Sequence, residues 1–375
     1  MGGFSPSDDD VFSKDYSLQS LWAAVRGLPA AAMLGVASLA SPISRAPDDW
    51  ELHSLRYDGK GGAKEAELYV IPARNVRHDP IGVVGFVPGW KRSPVDKAEA
   101  IEDLRNSGYS VVSIALENPG MSTGSLADSL ERINSFIFSH DSPLYHLYPE
   151  NIPRFAITHS TSGMLFEHGL MDARMSGQLP PIEHAFHTAP FFDTSGSSTL
   201  FHPTLNKLYT RHARRHEGEL AGTPLMDRLY YYVRGLGRLL IEEDPNDRPT
   251  HGQILEISGY GKSYFARKEQ EISSGMSAIT IPQTFVISTD DRFSCPKTAA
   301  HAAKLESAAV TYCQAQHNPL LKPPVRKSII DQIREITRST GLFDLLDEIE
   351  HTFGGAPLRD LDDPSQEDGP NRYHF

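Results

Sequence analysis

The chain has 375 residues, of which 39% are hydrophobic, and it carries a formal net charge of −12 at pH 7. This length can bury a sizeable core and allows either two or three domains or one α/β domain with an insertion. The acidic balance argues against a nucleic-acid partner, and the 16 histidines show no HExxH or other metal-ligand spacing that would predict a metal site.

Residues 1–48 are predicted to form a partly helical N-terminal extension. Their apolar, alanine-rich run over 28–43 contains prolines and is too short for a spanning helix. A secretory signal begins with basic residues, whereas this chain begins with the acidic stretch 8–10. We expect a helix that packs on the domain or lies over its mouth; the alternative is a weak contact with a membrane surface.

The next part of the chain alternates predicted strands with predicted helices. Two alternating segments flank a glycine-rich turn and predict an antiparallel hairpin, and the following strands are almost wholly apolar, as in a parallel sheet covered on both faces. The predicted strands are 50–57, 66–73, 81–87 and 109–116, the helices are 95–107 and 126–138, a strand and helix occupy 154–171, and a strand and loop occupy 182–192.

This alternation stops at Asp193 and resumes near residue 279, so residues 193–275 are predicted to be a helical insertion. Helices are expected there over 205–216, 222–242 and 252–272. Later elements are strands over 279–288 and 309–315 and helices over 296–307, 325–338 and 342–353, followed by a loose tail over 355–375. One catalytic domain, 49–192 plus 276–354, would therefore hold a mostly parallel sheet with helices on both faces.

The most informative stretch is 154–166, which predicts a strand, a sharp turn and a helix with Ser160 at the tip. A nucleophilic serine needs this geometry, and its usual pattern is Gly-x-Ser-x-Gly. Here Thr158 and Ser162 replace the two glycines. The alternative is that these hydroxyl groups only cap the helix from Gly163 onward.

Candidate partners for the serine follow other predicted strands, at the sheet edge where ligands gather. Asp291 follows the strand 281–288, and His317 follows the strand 309–315. The order Ser160, Asp291, His317 is that of a nucleophile, an acid and a base in this architecture. Asp290 and Asp193 remain alternative positions for the acid.

These motifs resemble the α/β-hydrolase family, in the branch of lysophospholipases, monoacylglycerol lipases and related serine aminopeptidase-like enzymes. The segment THSTSG at 158–163 resembles the family's GHSMGG elbow, ENPGMS at 117–122 resembles a conserved family turn, and the insertion falls where members carry a lid. Pro88-Gly89-Trp90 is similar to the family's His-Gly loop, so the resemblance implies an oxyanion hole made by the backbone N–H groups of Trp90 and Thr161. It also implies the family's eight-stranded, mostly parallel sheet.

The resemblance implies a serine hydrolase for a lysophospholipid, a monoglyceride or a similar small ester, without a cofactor or metal. No sequence feature points to a protein partner. Peptidases and thioesterases share the same core, and a non-catalytic binding protein that has kept the fold is the rival from another class. The two cysteines, Cys295 and Cys313, favour a reducing, cytoplasmic location, although a single bridge between them stays open.

Overall fold

The structure is a computed structural model that describes residues 46–59, 61–74, 80–90, 92–116, 125–193, 211, 213–215, 218, 250–275, 280–291 and 294–339. Several predictions lie outside these ranges. They concern the extension up to residue 45, the turn 117–122, the helices 222–242 and 342–353, and the tail 355–375.

Within these ranges, eight strands form one sheet in the order β1-β2-β4-β3-β5-β6-β7-β8. The first two strands run antiparallel to each other and β2 runs antiparallel to β4, whereas all other neighbours are parallel. The strands are β1 Glu51–Gly59, β2 Gly62–Ile71, β3 Gly82–Val87, β4 Tyr109–Ile114, β5 Arg154–His159, β6 His184–Thr188, β7 Gln283–Ser288 and β8 Ala309–Cys313. The predicted hairpin and mostly parallel sheet are confirmed.

The hairpin turn explains the glycine-rich sequence between its strands. Gly59 pairs with Gly62, and Gly61 and Gly62 have φ angles of +97° and +120°. Side chains with a Cβ rarely adopt such angles, so the turn requires glycine.

Helices cover both faces of the sheet. They are α1 Ala98–Asn106, α2 Leu126–Ile133, α3 Pro143–His146, α4 Thr161–Ser176, α5 His251–Ser273, α6 Pro296–Leu305 and α7 Pro323–Ser339. Buried residues of α1 and α7 belong to one hydrophobic cluster with the sheet, and those of α2, α4, α5 and α6 belong to the other.

Two helix predictions differ from the structure in detail, and one short helix was not predicted. The helix predicted over 95–107 begins as a 3₁₀ turn, Pro94–Lys97, and the one predicted over 126–138 ends in a π-helical turn, Asn134–Phe138. That wider turn packs so closely on α4 that a Cβ at Gly169 would lie 2.5 Å from the Phe138 ring. The four-residue helix α3 was not predicted, because so short an element shows no periodicity.

Helix α5, predicted as the last helix of the insertion, packs directly on the sheet domain. Its Tyr264 is fully buried, and a Cβ at Gly261 would lie 2.1 Å from the carbonyl oxygen of Phe192. The helix therefore packs against α4 and α2, in the same hydrophobic cluster as those helices. The outer bounds of the insertion remain a prediction.

Two further observations concern the described part of the chain. No disulfide links Cys295 to Cys313. Every helix there is too short or too polar to cross a membrane.

Candidate active site

Ser160 lies at the tip of a strained turn between β5 and α4. Its φ and ψ angles are 58° and −125°, an unfavourable combination for a residue with a side chain. Backbone hydrogen bonds hold the turn on both sides. The Ser160 N–H donates to the Thr188 carbonyl at 3.0 Å, and the Ser160 carbonyl accepts from the N–H groups of Gly163 and Phe191, both at 3.0 Å. The turn is therefore fixed to β6 and to the loop after it.

The hydroxyl groups that replace the two elbow glycines bind neighbouring strands. The Ser162 Oγ accepts from the His159 N–H at 2.8 Å and lies 2.9 Å from the Val87 carbonyl at the end of β3. The Thr158 Oγ1 lies 2.7 Å from His187 Nδ1 on β6. Helix α4 begins at Thr161, and Ser160 makes no side-chain cap. The hydroxyls thus tie the elbow to β3 and β6, which differs from the alternative that they only cap the helix.

Ser160, His317 and Asp291 form one hydrogen-bonded series. The Ser160 Oγ lies 2.8 Å from His317 Nε2, and His317 Nδ1 lies 2.8 Å from Asp291 Oδ2. The Asp291 side chain is 1% exposed. A serine, an imidazole and a buried carboxylate in this order can pass the serine proton to the ring and hold the ring's tautomer.

The three candidate acids have different partners. The carboxylate of Asp291 lies against the His317 ring. The Asp290 Oδ1 accepts from the backbone N–H groups of Ala315 and Gln316, at 3.0 and 2.9 Å. The backbone carbonyl of Asp193 accepts from the Cys295 N–H at 2.8 Å. The geometry therefore favours Asp291 for the acid position.

Ser294 is a member of this site that the sequence analysis missed. Its Oγ donates to Asp291 Oδ2 at 2.5 Å, and its N–H donates to Asp291 Oδ1 at 3.1 Å. These bonds compensate the buried carboxylate for lost hydration. Its place three residues after the acid was the only available signal, and serine is too common in loops for that spacing to be informative.

The loop after β3 passes directly under the elbow. A Cβ at Gly89 would lie 3.3 Å from the Ser160 Cβ, so the absence of a side chain lets the loop approach the serine. Trp90 follows at once and packs against the larger hydrophobic cluster, and Thr161 is the first residue of α4 and is buried. The two predicted oxyanion-hole residues thus flank Ser160 from two different elements. Their role as N–H donors remains a prediction.

His159 is neutral beside this series. Its ring centre lies 5.3 Å from that of His317, and its Nδ1 lies 3.1 Å from Thr188 Oγ1. Complete burial, with the positive charge of Lys97 adding to it, holds the pKa of His159 well below its ordinary value. Only His317 of the two imidazoles contacts Ser160, so His159 acts in packing and hydrogen bonding, as the sequence suggested.

The described residues contain no group of three or more histidine, cysteine, aspartate or glutamate side chains that could hold a metal ion. The cofactor-free reaction stays an expectation from the resemblance.

No protein-family model matches the sequence, and no curated protein matches it significantly. Solved structures do match the fold. A soluble variant of the monoglyceride lipase from Saccharomyces cerevisiae, in complex with a substrate analog, aligns with a TM-score of 0.57 and 14% identity, over 80% of this chain and 99% of that one. A lipase in its open form aligns with a TM-score of 0.50 and 12% identity, over 77% of this chain and 99% of that one. The chain has the α/β-hydrolase fold.

Proposed function

We propose that this chain is a serine hydrolase that cleaves a carboxylic ester through an acyl-enzyme on Ser160. The observation that carries the proposal is the series Ser160–His317–Asp291, with two contacts of 2.8 Å, built on a strained turn at the edge where the parallel strands end. Fold alone would not support a function, because one fold serves many chemistries.

In the proposed reaction His317 Nε2 takes the Ser160 proton as the Oγ attacks the ester carbonyl carbon. The C=O electron pair moves to oxygen, and the N–H groups of Trp90 and Thr161 stabilise the resulting oxyanion. As the C–O bond of the ester breaks, His317 returns the proton to the leaving alcohol. Water then attacks the acyl-enzyme with His317 again as base, which releases the acid and restores Ser160.

Asp291 has a separate part in this proposal. Its carboxylate accepts from His317 Nδ1, so Nε2 is the nitrogen that faces Ser160 without a proton before attack, and the imidazolium that follows is stabilised. The hydrogen bonds from the Ser294 N–H and Oγ hold this buried carboxylate in place.

The substrate class rests on the resemblance and on the identities of the two structural neighbours, a monoglyceride lipase and a lipase. They support a lysophospholipid, a monoglyceride or a similar small ester. We propose that the part of the insertion over 193–275 that precedes α5 acts as a lid that covers the acyl group and excludes water.

Matched substrates with an identical acyl group test the reaction class. The purified chain is assayed with an ester, an amide and a thioester, and with His317→Ala as the reference for lost base catalysis. We expect ester hydrolysis with a kcat that falls by at least about 10²-fold in His317→Ala. Turnover of the amide alone would exclude an esterase, and turnover of the thioester alone would favour a thioesterase.

A further inference from the structure

Lys97 is a buried lysine beside the candidate active site that the proposed reaction steps do not use. It ends the turn Pro94–Lys97, which leads from the loop after β3 into α1, and it is 5% exposed. Burial of an ammonium group is costly, because the group loses its hydration. A lysine at such a position therefore needs a hydrogen-bond acceptor that replaces the lost water.

That partner lies on the loop that carries His317. The Lys97 Nζ donates to Asn318 Oδ1 at 2.6 Å, although the two residues are 221 positions apart in the sequence. Asn318 directly follows His317, and its N–H donates to the Ala315 carbonyl at 3.2 Å, which closes a turn around the histidine. The lysine thus holds the downstream side of this turn.

Asp290 holds the upstream side of the same turn. Its Oδ1 accepts from the N–H groups of Ala315 and Gln316. Gln316 has a φ angle of +50°, a region that residues with a side chain seldom occupy. A turn with this strain persists only where surrounding contacts determine it. The contacts on its two sides come from Asp290 after β7 and from Lys97 after β3.

We propose that Lys97, acting through Asn318, is a positioning residue that keeps the His317 ring within reach of Ser160. The inference rests on the proposed function of His317 as the base. It follows because the 2.8 Å contact between Ser160 Oγ and His317 Nε2 depends on where the turn 315–318 lies. A displacement of about 1 Å at a reacting group lowers rates by about 10²-fold.

Lys97 also contributes positive charge at this place. Burial lowers the pKa of Lys97 to about 8, with the charge of Arg92 acting in the same direction and that of Asp96 opposing it. From other elements, Asn318 accepts its hydrogen bond, and the positive charge of Lys97 lowers the pKa of the neutral His159. At neutral pH Lys97 keeps its proton, so its ammonium group donates the hydrogen bond to Asn318.

A double-mutant cycle tests the coupling. Lys97→Met, Asn318→Ala and the double variant are compared by the kcat and KM for a short-chain ester, with Lys327→Met as the matched control. Lys327 is an exposed lysine that pairs with Asp331 on α7. We expect each single variant to lower kcat by about 10- to 100-fold with KM within about twofold, and the double variant to fall no further. Lys327→Met should equal the wild type.

Lys97→Gln provides the second variant, because its side-chain amide keeps an N–H donor without the charge. Recovery of part of the lost kcat in this variant would support positioning by a hydrogen bond. Wild-type kcat in Lys97→Met, or losses that multiply in the double variant, would overturn the inference.

Amide hydrogen exchange gives a readout that does not depend on activity. We expect faster exchange over residues 314–321 in Lys97→Met and in Asn318→Ala, and no change in Lys327→Met. Unchanged exchange in all three would contradict the role of Lys97 in holding the turn. A folded wild type without ester hydrolysis would instead remove the proposed function, and the exchange result would then decide the turn's dependence on Lys97 by itself.

Discussion

Two neighbouring carboxylates after β7 have different partners, which makes them separable by mutation. Asp291 contacts the His317 ring, whereas Asp290 accepts from backbone N–H groups of the turn before it. Burial raises the pKa of Asp290, but hydrogen bonds from Ser288 and from these N–H groups outweigh burial and hold the pKa below its usual range. Asp290 is thus ionised at neutral pH and binds the turn, whereas Asp291 contacts the imidazole ring.

The same substitution at both positions should have unequal effects. Asp291→Asn removes the charge that orients His317 and stabilises its protonated form, and we expect kcat to fall by about 10³- to 10⁴-fold. Asp290→Asn keeps an acceptor oxygen for the turn, so we expect a loss below about tenfold. Steady-state kinetics on one ester decides the matter. Equal losses, or a larger loss in Asp290→Asn, would transfer the acid role to Asp290.

At the residue scale, the sequence predicted Ser160, Asp291 and His317, with Asp290 and Asp193 as alternative positions for the acid. Local sequence patterns were enough to predict the order of these residues and their places after buried strands. The choice between Asp290 and Asp291 depends on which carboxylate faces the ring, and a difference of one residue at a strand end is beyond pattern reasoning. The bond from Lys97 to Asn318 was also inaccessible, because 221 residues separate its ends.

At the scale of elements, a cluster of buried charges joins α4, α5 and α6. The Glu306 carboxylate at the end of α6 accepts from Arg174 of α4 at 2.8 Å, and from Lys268 and Tyr264 of α5, both at 2.9 Å. Burial raises the pKa of Glu306, but the charges of Arg174 and Lys268 outweigh burial and hold the pKa below its usual range. Glu306 is therefore ionised and fixes α5 to the sheet domain.

Glu167 of α4 lies in the same region but is neutral. Complete burial, together with the charge of Glu306, raises the pKa of Glu167 well above its ordinary value, and its Oε1 lies 3.2 Å from His187 Nε2. His187 in turn contacts Thr158 of the elbow. A neutral polar path thus leads from the elbow towards the charged cluster.

Because Glu167 is neutral and Glu306 is ionised, the same change from glutamate to glutamine should have unequal effects on stability at the two positions. Glu167→Gln resembles the protonated acid, and we expect the free energy of unfolding to change by less than about 1 kcal/mol. Glu306→Gln leaves two buried cations without their carboxylate, and we expect a loss of about 3–5 kcal/mol. Urea unfolding of both variants measures the difference. A large loss in Glu167→Gln would mean that Glu167 is ionised.

The close approach of α5 to the loop after β6 can be tested with two glycines of one helix. A Cβ at Gly261 would lie 2.1 Å from the backbone oxygen of Phe192, whereas a Cβ at Gly259 meets nothing within 4 Å. We expect Gly261→Ala to destabilise the protein by at least about 1–3 kcal/mol. Gly259→Ala should stabilise it by about 0.4–1 kcal/mol, since alanine restricts the unfolded chain. Similar unfolding midpoints for both variants would contradict this packing of α5.

The sequence predicted these elements better than it predicted their packing. Periodicity placed a helix over 252–272, close to the observed His251–Ser273. The polar and aromatic neighbourhood suggested an insertion, but the face that α5 buries is defined by Tyr264 and by its contact with Phe192. Such contacts connect distant segments, so no local pattern reports them.

At the scale of the whole molecule, buried histidines should set the response of stability to acid. Burial lowers the pKa of His187 to about 3 and that of His184 to about 4. In the unfolded chain both would titrate near their ordinary value of about 6.5. Below that pH the unfolded chain binds protons that the folded chain does not, so the free energy of unfolding falls as the pH drops towards 4.

This dependence is measurable by urea unfolding between pH 8 and pH 4.5. We expect a shallower loss of stability in His184→Gln than in the wild type, because one proton fewer is taken up on unfolding. His53→Gln, at an exposed position of β1, serves as the control and should follow the wild type. Parallel curves for the wild type and His184→Gln would show that His184 is not held neutral by the fold.

The central claim is that Ser160 is the nucleophile of a serine hydrolase, and labelling by a fluorophosphonate probe tests it most directly. The wild type is compared with Ser160→Ala and with Ser162→Ala, a serine two positions away whose hydroxyl is buried against β3. We predict labelling of the wild type and of Ser162→Ala, and none of Ser160→Ala. A folded wild type that takes no label, or a Ser160→Ala variant that is still labelled, would contradict the account.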